Sequence, residues 1–515
     1  TRPRHVRCRT MPWMSSTLQQ TYDAYPYQSF PFPQSHPDRL ATLGTIFGAA
    51  PPALAGCRVL ELGCAAGGNI IPMAATMPGA QFVGVDFSEV QIHDGRSHVA
   101  ALGLANLRLE AMDILDFDAR FGMFDYIIAH GVYSWVPDTV QEKILALIAA
   151  HLTGNGIAYV SYNTLPGWAM RGTVRAAMRY HTAQFGDPAT RAAQARAILA
   201  FLAEGTQDES TAHAVMLRAE AEDLRGKEDY YILHEYLEEV NEPLYFHEFV
   251  ERATSHGLRY LGEASFRTMF ASDLSTEAAS TLARVGPDLV KREQYMDFLR
   301  NRTFRQTLLV HDEVALERKV TPLAVTGLEA ASRARPAGTI DLRTTAPDTF
   351  TEPDGASVTT AHPVAKAALM LLAARWPASM PFGQLRDAAM AAVGLSASAH
   401  ESATAVLASM LLAGYAAGGL ELHQAPPAFV LEAGRRPATG AWQARQAERG
   451  DRVTTLRHEL IRVDSPTRAL LQRLDGTRTR DEIAALAWPA VDPAARARLL
   501  DEALPQLARQ ALLIA

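Results

Sequence analysis

The chain has 515 residues, 48% hydrophobic and 20% charged, a soluble globular balance with material for about three domains. Its net charge of −7 leaves no large basic face for nucleic acid, and three cysteines (Cys8, Cys57, Cys64) without ligand spacing imply neither a disulfide framework nor a metal. No apolar run approaches the ~20 residues of a membrane span, and no apolar segment follows the basic start TRPRHVRCRT, so a cytoplasmic setting without a secretory signal is expected.

In chain order, TYDAYPYQSFPFPQSHPDRL (21–40) comes first and interleaves Tyr22, Tyr25, Tyr27, Phe30 and Phe32 with prolines that oppose a helix. It is expected either as a strap over a ligand or as a packed arm. RVLEL (58–62), QFVGVD (81–86), LRLEAM (107–112), YIIAH (126–130) and GIAYVSY (156–162) read as strands, with helices over 69–77, 88–102 and 138–152. This alternation predicts a doubly wound, Rossmann-like α/β sheet, whose ligands bind beyond the carboxyl ends of the strands.

Residues 171–240 read as helical, and YFHEFVERATSHGLRYLGEA (245–264) as a helix, a stop at Gly257 and a strand. That strand either completes the first sheet or opens a new module. Pro, Gly, Thr and Asp between 320 and 360 suggest an irregular connection with an edge strand or two. HPVAKAALMLLAARWP (362–377), two further helices and a hairpin-like YAAGGLELHQAPP suggest a winged-helix module. SPTRALLQRLDGTRTRDEIAALAWP, broken at Gly476, suggests a second. The expected division is 1–220 (arm and cofactor domain), 221–319 (middle domain), 320–360 (connection), and 361–430 and 431–515 (winged-helix-like modules).

The chemistry concentrates in VLELGCAAGGN, framed Glu61-x-Gly63-x-Ala65-x-Gly67. It lacks the glycine spacing of a dinucleotide loop and the Lys-Ser/Thr of a phosphate loop. A carboxylate at the strand end repels pyrophosphate but suits a cationic amino group and a sulfonium, which together point to S-adenosylmethionine. Glycines there let backbone approach the ligand. Asp86, followed by Phe87, ends the second strand and is placed for ribose hydroxyls. Met112 and Asp113 end the third, placed for the adenine ring and its amino group. The expected cofactor set adds Cys64, Asn69, His130, Gly131 and Tyr22. AHGVYSWVP (129–137) and SYNTLPGW (161–168) supply Tyr133, Trp135, Asn163 and Trp168, expected to position an acceptor. Each tryptophan, taken singly, reads equally well as a core cap. Methyl transfer depends on alignment and exclusion of water more than on acid–base chemistry. All these motifs precede residue 170, so the C-terminal modules are expected to select the acceptor, and a chain ending near 320 to retain donor binding.

YDAYPYQSFPF…HPDRLATLGTIFG, ELGCAAGGN, AHGVYSWVP, SYNTLPGW, YYILHEYLEEVNEPLYFHEFV and DFLRNRTFRQTLLVH together resemble bacterial methyltransferases with a methyltransferase regulatory domain. That group includes rickettsial lysine methyltransferases acting on an outer-membrane surface protein. The resemblance implies a class I fold, S-adenosylmethionine as donor and protein lysine as acceptor. A small-molecule amine or hydroxyl acceptor and a non-catalytic cofactor sensor are the alternatives. LDGTRTRDEIAALA resembles small winged-helix peptide-binding modules. Arg478 and Arg480 are balanced there by Asp481 and Glu482, so a polypeptide partner is expected rather than DNA.

Overall fold

A computed structural model describes residues 28–205, 208–271, 273–426 and 428–515; Cys8, Tyr22, Tyr25 and Tyr27 lie outside them. β1 (Arg58–Leu62), β2 (Gln81–Asp86), β3 (Leu107–Ala111), β4 (Phe124–Ala129), β5 (Leu152–Asn163), β6 (Leu258–Glu263) and β7 (Phe304–His311) form one sheet in the order β3-β2-β1-β4-β5-β7-β6. β1 to β5 are parallel, while β7 runs antiparallel to both β5 and β6. β1 and β4 are almost wholly buried, which is why they read as largely apolar runs, broken only by Arg58 and Glu61 in β1 and Asp125 in β4.

α1 (Pro37–Ile46) precedes the sheet, and α2 (Ile70–Thr76), α3 (Glu89–Leu102) and α4 (Asp138–His151) are its crossovers. Their bounds follow local chemistry. Ser88 caps α3 by accepting from Gln91 N–H, and Gly103 closes it at φ +63°. The strand order reverses between β1 and β4, which opens a crevice at their carboxyl ends. β6 and β7 answer the question left by 245–264: that stretch completes the first sheet.

α5 (Gly167–Thr182) packs with helices Pro188–Glu204, Ala212–Leu224 and Asp229–Tyr236 around Val174, Met178, Leu199 and Ile232. The segment 320–360 is more than a connection. Val325, Leu328, Ala330, Phe350 and Val358 share one core with Leu40, Ile46 and Val310 on one side and Leu369 and Leu407 on the other. Nor does YAAGGLELHQAPP form a hairpin. Gly418, at φ +79°, ends helix His400–Ala417, and Glu421–His423 then pairs with Glu329–Ala331. A distant strand thus supplies the partner that a local turn was expected to bring.

The C-terminal module has its own core of Val453, Leu471, Ile483 and Leu504, and a hairpin of Arg452–Thr454 with Leu460–Arg462. Among the described residues no helix is long and apolar enough to cross a membrane, and no cluster of His, Cys, Asp and Glu is placed to hold a metal.

Candidate functional site

The loop after β1 is tied down by its own backbone. Gly63 and Cys64 donate to Val85 O at 2.8 and 3.0 Å, and Gly67 donates to Cys64 O at 2.8 Å. Gly63 sits at φ +71° and Gly67 at φ +83°. A Cβ on Gly63 would lie 2.2 Å from Val132 Cγ2, so this glycine is required by the close approach of the loop after β4. Ala65 is left-handed too, at φ +48°, an unusual place for a side chain. Asp86 holds it there: one carboxylate oxygen accepts from Ala65 N–H at 2.8 Å and the other from Ser88 N–H at 2.9 Å. Asp86 therefore links the end of β2 to the glycine loop, with half-buried Phe87 beside it. The thiol of Cys64 is buried against β2, since a Cβ on Gly84 would lie 2.8 Å from its Sγ.

Glu61 is buried at the end of β1. Its Oε1 accepts from Asn69 Nδ2 at 2.7 Å, while Oε2 has no hydrogen-bond partner. Burial pushes this carboxyl up to about 8; the Asn69 hydrogen bond opposes the shift and nearby Asp86 adds to it. Asn69 is a hub. Its Nδ2 also donates to Ser35 Oγ at 3.0 Å, and its Oδ1 accepts from Phe32 N–H at 2.8 Å and from His458 Nε2 at 2.8 Å. These four bonds fill the capacity of the amide. Asn69, expected among the cofactor contacts, thus has its side chain committed to protein partners.

The described part of the proline-rich arm lies across this loop. Ser29 Oγ accepts from Gly68 N–H at 2.7 Å, and a Cβ on Gly68 would meet Ser29 O at 2.1 Å. The Phe32 ring stacks on His130 with centroids 3.6 Å apart. His130 Nδ1 lies 2.9 Å from Tyr159 Oη, and burial lowers its pKa to about 3, so the ring is neutral. Gly131 N–H donates to Ser161 Oγ at 2.8 Å. The Phe304 ring meets His130 edge-on and is 38% exposed, so one side of this aromatic wall is open.

At the end of β3, Met112 is half-buried and its N–H donates to Asp86 O at 2.9 Å. Asp113 Oδ1 caps a short turn by accepting from Leu115 N–H at 2.9 Å. Of the expected acceptor residues, Tyr133 is fully buried, edge-on to Phe249. Trp168 is 3% exposed, donates to Asn241 Oδ1 and packs edge-on against half-buried Trp135. Arg171 and Arg175 lie over these two indoles. Tyr133 and Trp168 are therefore packed as core side chains. Asn163, at the end of β5, is buried with Nδ2 lacking a hydrogen-bond partner, while its N–H donates to Ser134 Oγ at 2.9 Å.

Residue reading missed His458, Ser29, Ser35 and Phe304. His458 carries no local signal, because its partner Asn69 lies 389 residues away in the chain.

The donor set fits S-adenosylmethionine. A buried carboxyl with one unpartnered oxygen suits the donor's ammonium, Asp86 ends β2 and Asp113 follows the end of β3, beside a glycine loop at the switch point. Residues 54–235 match the family described as "Methyltransferase domain" and residues 228–311 the "Predicted methyltransferase regulatory domain". Residues 435–495 match "PKMT, C-terminal winged helix domain". The solved structure of PKMT2 from Rickettsia typhi is 32% identical, covers 95% of this chain and 100% of its own, and superposes with a TM-score of 0.85. The same protein is also solved in complex with AdoHcy, the demethylated product of the donor. The uncharacterized protein RP028 of Rickettsia prowazekii is 41% identical over 48% of this chain and 99% of its own length. RP789 of that organism is 45% identical over 58% of this chain, and the match spans about half of its length, 54%. The chain belongs to the family of Rickettsia typhi PKMT2 and is an S-adenosylmethionine-dependent methyltransferase of class I fold.

Proposed function

We infer that this methyltransferase acts on a polypeptide, at lysine Nζ. The observation that carries the acceptor reading is the neutral aromatic wall of Phe32, His130 and partly exposed Phe304 beside the donor loop. The likeness to PKMT2 along 95% of the chain, winged-helix module included, supports it.

When bound, S-adenosylmethionine supplies an electrophilic methyl group on a sulfonium. Glu61 receives the donor's ammonium through Oε2, Asp86 the ribose hydroxyls, and Asp113 and Met112 the adenine. Phe87 and Gly131 border the nucleoside, and Gly63, Cys64, Ala65 and Gly67 contribute backbone. Lysine must lose its proton to bulk water before it attacks, and a desolvated aromatic approach favours entry of the neutral amine by disfavouring the charged form. His130, neutral at physiological pH, adds no positive charge to repel the incoming amine and is too weak a base to take its proton. Aligning the amine with the methyl group and excluding water do the rest. Asn163, at the end of β5, is assigned to the incoming amine. Trp135, Tyr133 and Trp168 support the loops that carry it.

The full chain incubated with isotope-labelled donor and a lysate of the source cell tests this. Label on polypeptide lysines is the expected result. Label confined to small molecules would replace the reading with a natural-product methyltransferase.

A further inference from the structure

His458 sits at the tip of the hairpin formed by Arg452–Thr454 and Leu460–Arg462, the wing of the C-terminal module. It is buried and left-handed at φ +62°, a conformation that a side chain adopts only where its surroundings hold it. The tip does so with its own bonds: His458 N–H donates to Thr455 O at 3.0 Å, and Thr455 N–H to Glu459 O at 2.7 Å. The imidazole then leaves its own module and reaches the donor loop, where Nε2 meets Asn69 Oδ1. Its ring also lies 5.2 Å from that of His36, which caps α1.

The position of the proton follows from the partners. The backbone N–H of Phe32 can only donate, so the amide atom facing it is the oxygen. His458 faces the same oxygen and must therefore carry its proton on Nε2. Burial keeps the ring neutral, well below its usual pKa. With both donors in place, the amide is turned so that Nδ2 faces Glu61 and Ser35. Asn69 then occupies Oε1 of Glu61 and leaves Oε2 unpaired.

We propose that His458 is a positioning residue of the donor site: through Asn69 it orients the Glu61 carboxyl toward the donor's amino group, so that the wing completes the site. The inference rests on the reading of Glu61 given above. It makes donor binding depend on a residue outside the sheet domain.

The test uses the full chain and calorimetric titration with S-adenosylmethionine and S-adenosylhomocysteine. His458→Asn keeps a residue that tolerates the left-handed backbone but is too short to reach Asn69. It should weaken binding about tenfold, the loss of one buried hydrogen bond. His458→Gln, whose amide Nε2 has the reach of the imidazole nitrogen, should restore binding to within about threefold. The His458→Asn, Asn69→Ala double variant should bind no more weakly than Asn69→Ala alone, because the two act in series. Wild-type affinity in His458→Asn, equal losses in Asn and Gln variants, or additive losses in the double variant would each overturn the proposal. Glu61→Gln in parallel separates the two readings. If it binds normally, the assignment of Glu61 falls and the inference with it; if it binds weakly while His458→Asn binds normally, only the inference falls. Nitrogen NMR of the histidine-labelled wild-type chain needs no variant to fold. A neutral Nε2–H tautomer whose signal moves on adding S-adenosylhomocysteine is expected, and a signal that ignores the nucleoside counts against the proposal.

Discussion

Burial sets the charge of the donor site one carboxyl at a time. Glu61, pushed up to about 8, is largely protonated at pH 7 before the donor arrives. A folded pKa above the unfolded value contributes stability that is full below about 4.5 and lost as pH rises through 8. Pairing with an ammonium reverses that preference. Donor binding at pH 7 should therefore release about one proton, and affinity should climb with pH until it levels near 8. Calorimetry in buffers of different ionisation heats measures this directly, and binding without proton release would contradict an ionic role for Glu61. Asp86 has a different task, since it already holds Ala65 and Ser88. Asp86→Ala should weaken donor binding by about 1–3 kcal/mol, through loss of hydrogen bonds to a charged acceptor. Unchanged affinity would remove Asp86 from the ribose.

Among elements, the arm is the piece whose role the structure sharpens. Phe32 is extended, Pro33–Ser35 form a single helical turn that leads into α1, and the backbone of Ser29 lies so near Gly68 that no side chain fits between them. Gly68→Ala must therefore push the arm off the loop. Overpacking of this kind costs about 1–3 kcal/mol, but here much of the strain is relieved by moving a peripheral segment. The expected outcome is weaker donor binding with a small fall in melting temperature, read from calorimetry and thermal denaturation of the same sample. A variant that binds the donor normally would place the arm away from it. The strands of the sheet were legible for a different reason: buried on both faces, β1 and β4 had to be short and mostly apolar, with Glu61 the one acid buried inside them. The strand Glu421–His423 was legible as a strand but not in its pairing, because its partner Glu329–Ala331 lies in a stretch that reads as loop.

Across the whole molecule the halves are not separable as the motifs suggest. Asp38 of α1 is buried and accepts from Gln424 N–H and Ala425 N–H at 2.7 and 2.8 Å. It also pairs with His423; burial alone would push that imidazole down, but Asp38 and Glu421 outweigh it and raise it to about 9. Ending the chain near 320 would strip these partners from a buried carboxylate and uncover the core around Leu40, Ile46 and Val310. Loss of one partner of a buried pair alone costs about 3–5 kcal/mol. Such a truncation should be aggregated or unfolded and fail to bind the donor, contrary to the expectation from motif position. Size-exclusion chromatography and donor titration check this, and a monomer with full affinity would restore the simpler modular picture. The sequence by itself determined the α/β architecture, the switch-point location and the class of donor. These rest on periodicity and on a loop whose chemistry lies within a few consecutive residues. Only the tertiary structure decided that β6 and β7 finish the sheet, that Tyr133 and Trp168 are packed inside, and that His458 reaches Asn69. Those outcomes depend on side chains from 73 to 389 residues apart filling one another's hydrogen bonds and cavities, and no local pattern encodes such a meeting.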